Sequence, residues 1–217
     1  MPHNVLVMIA VVVVSGGALL LVLSLVVSRA RRRLDADWDA FATERGLRFT
    51  PAARASGSRT VEGTVRGVPF VIDRIYERVG RGPAPVIRVR ATIERAGVPE
   101  LAAWLADASM VPREPPRGPS LFAGGPTEGP TVRLGDPDFD TAFRVVTEAS
   151  AIDVAGALPR AARAELVAIA RRAPVSLVVR EGEVVVTWFG DTLNGPRTDR
   201  ALEIVAMVAS GREIAGE

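Results

Sequence analysis

Val175-Ser176-Leu177-Val178-Val179-Arg180-Glu181-Gly182-Glu183-Val184-Val185-Val186-Thr187-Trp188-Phe189 decides how this chain folds. Two runs rich in β-branched and aromatic residues flank the dipeptide Glu181-Gly182. A two-residue connection of this kind predicts an antiparallel hairpin, with strands over Val175–Arg180 and Glu183–Phe189. Working outward, the same period-2 pattern recurs. Ile87, Val89, Ala91 and Ile93 form one face of a strand, and Arg88, Arg90, Thr92 and Glu94 the other, as in an antiparallel sheet with one wet side. Val61, Gly63 and Val65 alternate, Arg66-Gly67 reads as a turn, and Val68, Phe70 and Ile72 alternate again. Pro69 argues that this second strand begins late or lies at an edge. Tyr76 to Pro85 reads as a loop.

Helical signals lie between and beyond these strands. Leu34, Trp38, Phe41 and Ala42 fall on one helix face, and Gly46 fits the left-handed position just past its end. Trp38 suits core packing with Phe41 better than an interfacial role. Pro99 suits the first turn of a short helix with Leu101, Trp104, Leu105 and Ala108 as its stripe. Phe139 and Phe143 precede a strand, Asp153 is placed to cap a turn around Val154–Leu158, and Pro159 opens a helix to about Arg172. Thr198 or Asp199 caps a last helix carrying Leu202, Val205, Ala206 and Ala209, which Gly211 ends. The expected fold class is α+β: one N-terminal transmembrane helix followed by a soluble domain of antiparallel hairpins packed with helices. The organisation expected is an anchor with a basic flank over 1–33, a first α+β half over 34–110, a Pro/Gly-rich loop or linker over 111–130, and a second α+β half over 131–217.

The anchor rests on Val5 to Val27, 23 residues without a charge. A helix of that length covers about 35 Å, enough for a hydrocarbon core of roughly 30 Å. Arg29, Arg31, Arg32 and Arg33 follow at once, whereas only the terminal amine and His3 precede the span. Basic flanks stay on the cytoplasmic side, so residues 29–217 are expected in the cytoplasm of a single-pass protein of the inner or plasma membrane. Within the span Ala10, Gly17 and Ser24 recur at sevens. That stripe would let a second helix approach, giving a homo-oligomer through the span.

Inventory excludes much chemistry. The chain has no Cys, one His, and 27 basic residues that are all Arg. Thiolate nucleophiles, disulfides, Cys-bearing zinc sites, Schiff-base lysines and P-loop lysines are ruled out by composition. Outside residues 1–33 the chain carries 23 Arg against 25 acids. That mixture has no electrostatic footprint for nucleic acid. Asp136, Asp138 and Asp140 resemble the alternate carboxylates of a calcium loop, but Pro137 interrupts them and no distal Glu follows, so turn and capping roles are expected. Arg88 and Arg90 could meet an acidic partner, or simply form a solvated strand face.

Gly135-Asp136-Pro137-Asp138-Phe139-Asp140-Thr141-Ala142-Phe143-Arg144-Val145, followed by Asp153, Leu158-Pro159, a helix and a hairpin, is similar to the tail region of bacterial membrane-anchored proteins to which no activity is assigned. Gly63-Thr64-Val65-Arg66-Gly67-Val68-Pro69-Phe70 resembles their upstream hairpin. The resemblance implies the architecture and a membrane anchor, and it carries no catalytic residue. The function expected is therefore a membrane-tethered, non-catalytic interaction or scaffold module, with the lipid bilayer and a protein as partners and no cofactor, catalytic residue or metal ligand. The alternative is a membrane-bound hydrolase using paired carboxylates.

Overall fold

The computed structural model describes residues 3–53, 58–79, 82–106, 129–193 and 195–211, with side chains from Leu19 onward apart from 78 and 79. It opens with α1 (His3–Glu44), a single helix of 42 residues. Then come β1 (Arg48–Thr50), β2 (Thr60–Val65), β3 (Val68–Val79), β4 (Gly82–Thr92) and β5 (Leu101–Leu105). After residues 107–128 the order is β6 (Thr131–Val132), α2 (Pro137–Ala142), β7 (Phe143–Val146), α3 (Ala151–Ala157), α4 (Arg160–Ala170), β8 (Val175–Arg180), β9 (Glu183–Phe189) and α5 (Gly195–Ser210). The fold is α+β, and its strands form one nine-stranded antiparallel sheet in the order β1-β2-β3-β4-β9-β8-β5-β7-β6.

The hairpin at the heart of the sequence forms as expected. Glu181 and Gly182 both take positive φ, 52° and 76°, the pair of left-handed residues that a type I′ turn requires. Its strands sit in mid-sheet, β9 against β4 and β8 against β5. Residues before and after the 107–128 stretch therefore share one sheet, and a single core cluster contains Phe70 and Ile87 as well as Leu166, Leu177 and Ile204. The Pro/Gly-rich stretch itself lies, up to residue 128, outside the described residues.

Helices cover one face. α5 contributes Ala201, Leu202, Val205 and Val208, and α4 contributes Leu166 and Ile169, all buried. α1 joins them through Trp38, Phe41 and Ala42, while Leu34 is partly buried. The indole Nε1 of Trp38 donates to the Asp191 carbonyl at 3.2 Å, which fixes the helix against the β9–α5 connection. At the end of α1, Gly46 adopts φ 65° and Leu47 N–H folds back to the Ala42 carbonyl at 2.8 Å. This is the double-bonded C-terminal cap that satisfies carbonyls left open by the last turn.

Four expectations need correction. Leu101–Leu105 is strand β5 and not a helix, paired with β7 and β8. Leu101, Ala102 and Ala103 are buried, because the strand is covered on both faces, and a short apolar run of that kind carries no period with which to choose. Tyr76 to Pro85 is mostly strand: β3 and β4 continue to Val79 and Gly82, in register from Phe70↔Ala91 to Val79↔Gly82. Pro69 lies in β3 between two neighbours, tolerated because β4 begins its pairing one residue later, at Phe70. The reverse face of the sheet is also not simply wet, since Asp73, Thr187, Ser176, Val178 and Val146 on it are buried.

The helix starts shift as well. Ser150 and not Asp153 caps α3: its hydroxyl accepts from Asp153 N–H at 3.2 Å and donates to the Asp153 carboxylate at 2.7 Å. α5 begins at Gly195, so Thr198 lies inside it and is fully buried.

Candidate functional site

The directions of the first four elements orient the molecule. α1 ends beside Leu47, and β1 then runs back along it, so that the Ala52 carbonyl accepts from Arg31. β1, β2, β3 and β4 alternate in direction. The fold thus has one end beside the start of α1's docked half and an opposite end, where the β2–β3 turn, the β8–β9 turn and the C-terminus of α5 meet.

A cleft of ≈ 440 Å³ opens at that far end, lined by Arg66, Gly67, Val68, Pro69, Glu94, Arg95, Ala209 and Ser210. Its walls are built from turn chemistry. Arg66 and Gly67 both take positive φ, 53° and 80°, and the Arg66 guanidinium bonds the Glu203 carboxylate on α5 at 2.6 Å. Arg95 reaches across to α3, donating to the Ala157 carbonyl at 3.2 Å and the Gly156 carbonyl at 3.5 Å. A cation there complements the negative helix C-terminus. Gly211 ends α5 with φ 67°, and a Cβ at that position would stand 2.6 Å from Arg95 Nη1. Gly211 is favoured by its left-handed conformation, and a Cβ there would push the end of the Arg95 side chain aside. Both guanidiniums are already engaged, so the cleft is a half-polar, half-apolar hollow and not a ready anion site.

The four flank arginines divide into two groups. Arg29, Arg32 and Arg33 are exposed. Arg31 is structural, bonding the Ala52 carbonyl and lying 3.7 Å from Asp35. Asp35 in turn holds Arg59, whose guanidinium is buried and pairs at 2.5 Å. Arg59 carries no sequence signal that marks it as the partner of a helix twenty-four residues upstream. Within α1, Ser24 is exposed, and Ala10 and Gly17 have side chains outside the described residues. Leu19, Leu20, Leu21, Val22, Leu23, Leu25, Val26 and Val27 are 51–69% exposed, on all sides of the helix. Among the described residues, no helix is long and apolar enough to cross a membrane; of the candidate span from Val5 to Val27, the part up to Ala18 has its side chains outside that set.

The carboxylates are tied into structure. Asp136 caps α2 by accepting from Phe139 N–H at 3.3 Å, and Asp140 accepts from the N–H groups of Leu134, Gly135 and Asp136 at 2.9, 2.9 and 3.2 Å. Asp138 faces Arg171 at 3.6 Å. Asp136 and Asp140 thus take the capping and turn roles expected, whereas Asp138 is an exposed ion-pair partner. Asp73 receives Arg88 in a two-pronged bond at 2.6 and 2.5 Å, with Arg90 3.7 Å away. Arg90 also lies 3.6 Å from Glu183. Arg88 and Arg90 are thus committed within the sheet. At the junction of α1 and α5, Arg45 donates to both oxygens of Asp199 at 3.0 and 3.1 Å. That hydrogen-bonded carboxylate raises the Arg45 pKa above the ordinary arginine value; partial burial opposes the shift and Glu44 adds to it. Among the described residues, no group of three or more His, Cys, Asp or Glu is placed to hold a metal ion. The Ser210 hydroxyl in the cleft donates to the Ala206 carbonyl at 2.7 Å.

No family model, no curated protein and no solved structure matches this chain.

Proposed function

We propose that this chain is a single-pass, membrane-tethered recognition module that works without chemistry of its own. One observation carries the reading: α1 is continuous from His3 to Glu44, docks its last turns into the core through Trp38, Phe41 and Ala42, and leaves Leu19–Val27 apolar and exposed on every side. An apolar stripe is what a globular core needs. A helix apolar all round needs a different surrounding, and a bilayer supplies it. The sequence upstream of Leu19 extends the charge-free run to Val5, and Arg29, Arg32 and Arg33 stand where a cytoplasmic flank belongs.

In this reading the fold lies in the cytoplasm and its far-end cleft is presented away from the bilayer. The cleft's mix of arginine, glutamate and apolar wall suits a peptide or protein surface. Association of two spans through Ala10, Gly17 and Ser24 would double the presentation, and tethering raises the local concentration of whatever is bound. Two experiments test the proposal. A reporter active only outside the cytoplasm, fused at Glu217, should be silent; strong activity reverses the orientation. Crosslinking in the native membrane from an Arg66 or Glu94 position should capture a defined protein neighbour, and a captured neighbour lost on Arg95→Glu ties it to the cleft. Capture that is indifferent to Arg95 removes the cleft from the account.

A further inference from the structure

The fold buries two arginines side by side. Thr60 pairs with Asp73, and the Arg74 N–H bonds the Arg59 carbonyl at 3.2 Å, so Arg59 and Arg74 are the next pair of the β2–β3 ladder. Residues directly opposite in an antiparallel pair point to one face with Cβ atoms about 5 Å apart, and like charges so placed repel. Here it is the helix-covered face, since Val61 and Ile72, two residues along each strand, belong to the core. Arg59 is 1% exposed and Arg74 5%.

Their ion pairs leave donors unused. Arg59 Nε holds Asp35 at 2.5 Å, but its Nη1 makes no hydrogen bond to any described residue. Arg74 Nη2 donates to the Tyr76 phenol at 2.7 Å and has the Asp191 carboxylate only at 3.5 Å, while its Nε is likewise unbonded. Both of these donors are sealed from solvent, where an unmade bond from a charged group is most costly. The charges do not balance either. Contacts join Arg31, Arg59 and Arg74 to Asp35 and Asp191, three cations against two anions. A water molecule fills bonds without removing that excess. A monoanion with several acceptor oxygens does both.

The place of the cluster says which anion fits. Arg31 and Asp35 lie about 6 and 12 Å along α1 from Val27, and the headgroup layer outside the hydrocarbon is about 5–7 Å deep. β1 runs back along α1 from Leu47 to Ala52, β2 reverses that direction and β3 restores it, so Tyr76 lies on the bilayer side of Arg74. The Arg74 guanidinium, stacked 4.5 Å from the Tyr76 ring, is turned that way. Tyr76 and Asp191, its outer neighbours, are both exposed. The Asp191 carboxylate is held loosely enough for a stronger acceptor to displace it. A phosphodiester carries one negative charge, and guanidinium forks match its oxygens.

We infer that Arg59 and Arg74 form a phosphate site at the bilayer end of the fold, filled by the phosphodiester of an anionic lipid headgroup in place of the Asp191 carboxylate. The inference rests on the anchor reading above. For its test the full chain is reconstituted in vesicles of digalactosyldiacylglycerol, a lipid without phosphate, and phosphatidylglycerol is added in steps. Thermal unfolding is followed by tryptophan fluorescence, since Trp38 and Trp188 are buried in the core. The expected result is a saturable rise of about 5 °C in the unfolding midpoint, matched by inorganic phosphate only at far higher concentration. Arg74→Gln should abolish the rise. Asp191→Asn removes the competing carboxylate, keeps the backbone carbonyl that Trp38 bonds, and should lower the phosphatidylglycerol needed several-fold. Asp199→Asn, at an exposed pair elsewhere, should not change it. If Arg74→Gln does not fold, the contrast between the two aspartate variants decides alone. A rise that survives Arg74→Gln, or that Asp191→Asn does not sharpen, overturns the site and assigns the phosphate to exposed Arg29, Arg32 and Arg33. Saturation by inorganic phosphate at the lower concentration overturns the lipid as source. Flotation with the phosphate-free vesicles separates this inference from the anchor. A chain that floats and shows no rise keeps its anchor and loses the site, whereas a chain that does not float loses the anchor and the lipid source together.

Discussion

Leu19–Val27 and Leu34–Ala42 belong to one helix and are treated in opposite ways. In the second stretch the apolar residues keep to a stripe: Trp38, Phe41 and Ala42 are buried, while Asp37, Asp39 and Ala40 face outward. In the first, every apolar residue from Leu19 to Val27 stays exposed among the described residues. The helix has two solvents, the core of its own domain at one end and a surrounding of lipid at the other in our proposal. The basic cluster stands at the change-over, and one of its members, Arg31, has been drawn into the domain. Because no flexible connection separates the stretches, the attitude of the fold is set by how α1 docks.

The comparison breaks most visibly at the docked end. Trp38→Ala should remove about 3–5 kcal/mol of stability, as for other fully buried large aromatics, and should free the helix from Asp191. Thermal unfolding of the purified full chain in detergent would record it; a loss below 1 kcal/mol would mean that the helix does not share the core. Asp35→Ala comes next. It strands the buried Arg59 charge beside the junction, and about 3 kcal/mol is expected, the low end for a broken buried pair because Asp35 keeps some water. Joint replacement of Asp35 and Arg59 by apolar residues should recover much of that loss in the same measurement. Gly211→Ala should cost about 1–2 kcal/mol through its left-handed backbone and the crowding of Arg95, and the same change at exposed Gly156, with ordinary φ and open space, should not destabilise. The smallest effect is expected at the surface. Asp199→Ala should cost no more than about 1 kcal/mol, since the Arg45 pair is half in water, and high salt should erase most of it.

Legibility followed the range of the interaction. The β8–β9 hairpin, the cap at Gly46 and the alternation of β4 are local, and each was readable from neighbours within a few residues. Leu101–Leu105 was not, because alanine-rich sequence favours helix until a sheet supplies partners on both sides, and those partners are 38 or more residues away. Gly80, Gly82 and Pro83 made the start of β4 look like a loop, although Pro83 pairs with Arg78 of β3 in register. Of the candidate sites, the basic flank was legible as a row of charges. The division between exposed Arg29, Arg32 and Arg33 and committed Arg31 was not, since it depends on where Ala52 and Arg59 come to lie. The far-end cleft was invisible for the same reason. It joins the β2–β3 turn, the end of β4 and the end of α5; the Arg66-Gly67 turn and the helix end at Gly211 announced themselves, but not that they meet.

The central claim is that the exposed half of α1 resides in a bilayer. Alkaline carbonate extraction of native membranes tests it directly, comparing the unaltered chain with a Leu21→Glu/Leu25→Glu variant whose two changes lie on solvent-facing positions of α1 and touch no core residue. The account predicts that the unaltered chain stays with the membrane pellet and that the variant moves toward the supernatant while keeping the unfolding transition of the docked domain. Recovery of the unaltered chain in the supernatant would contradict it.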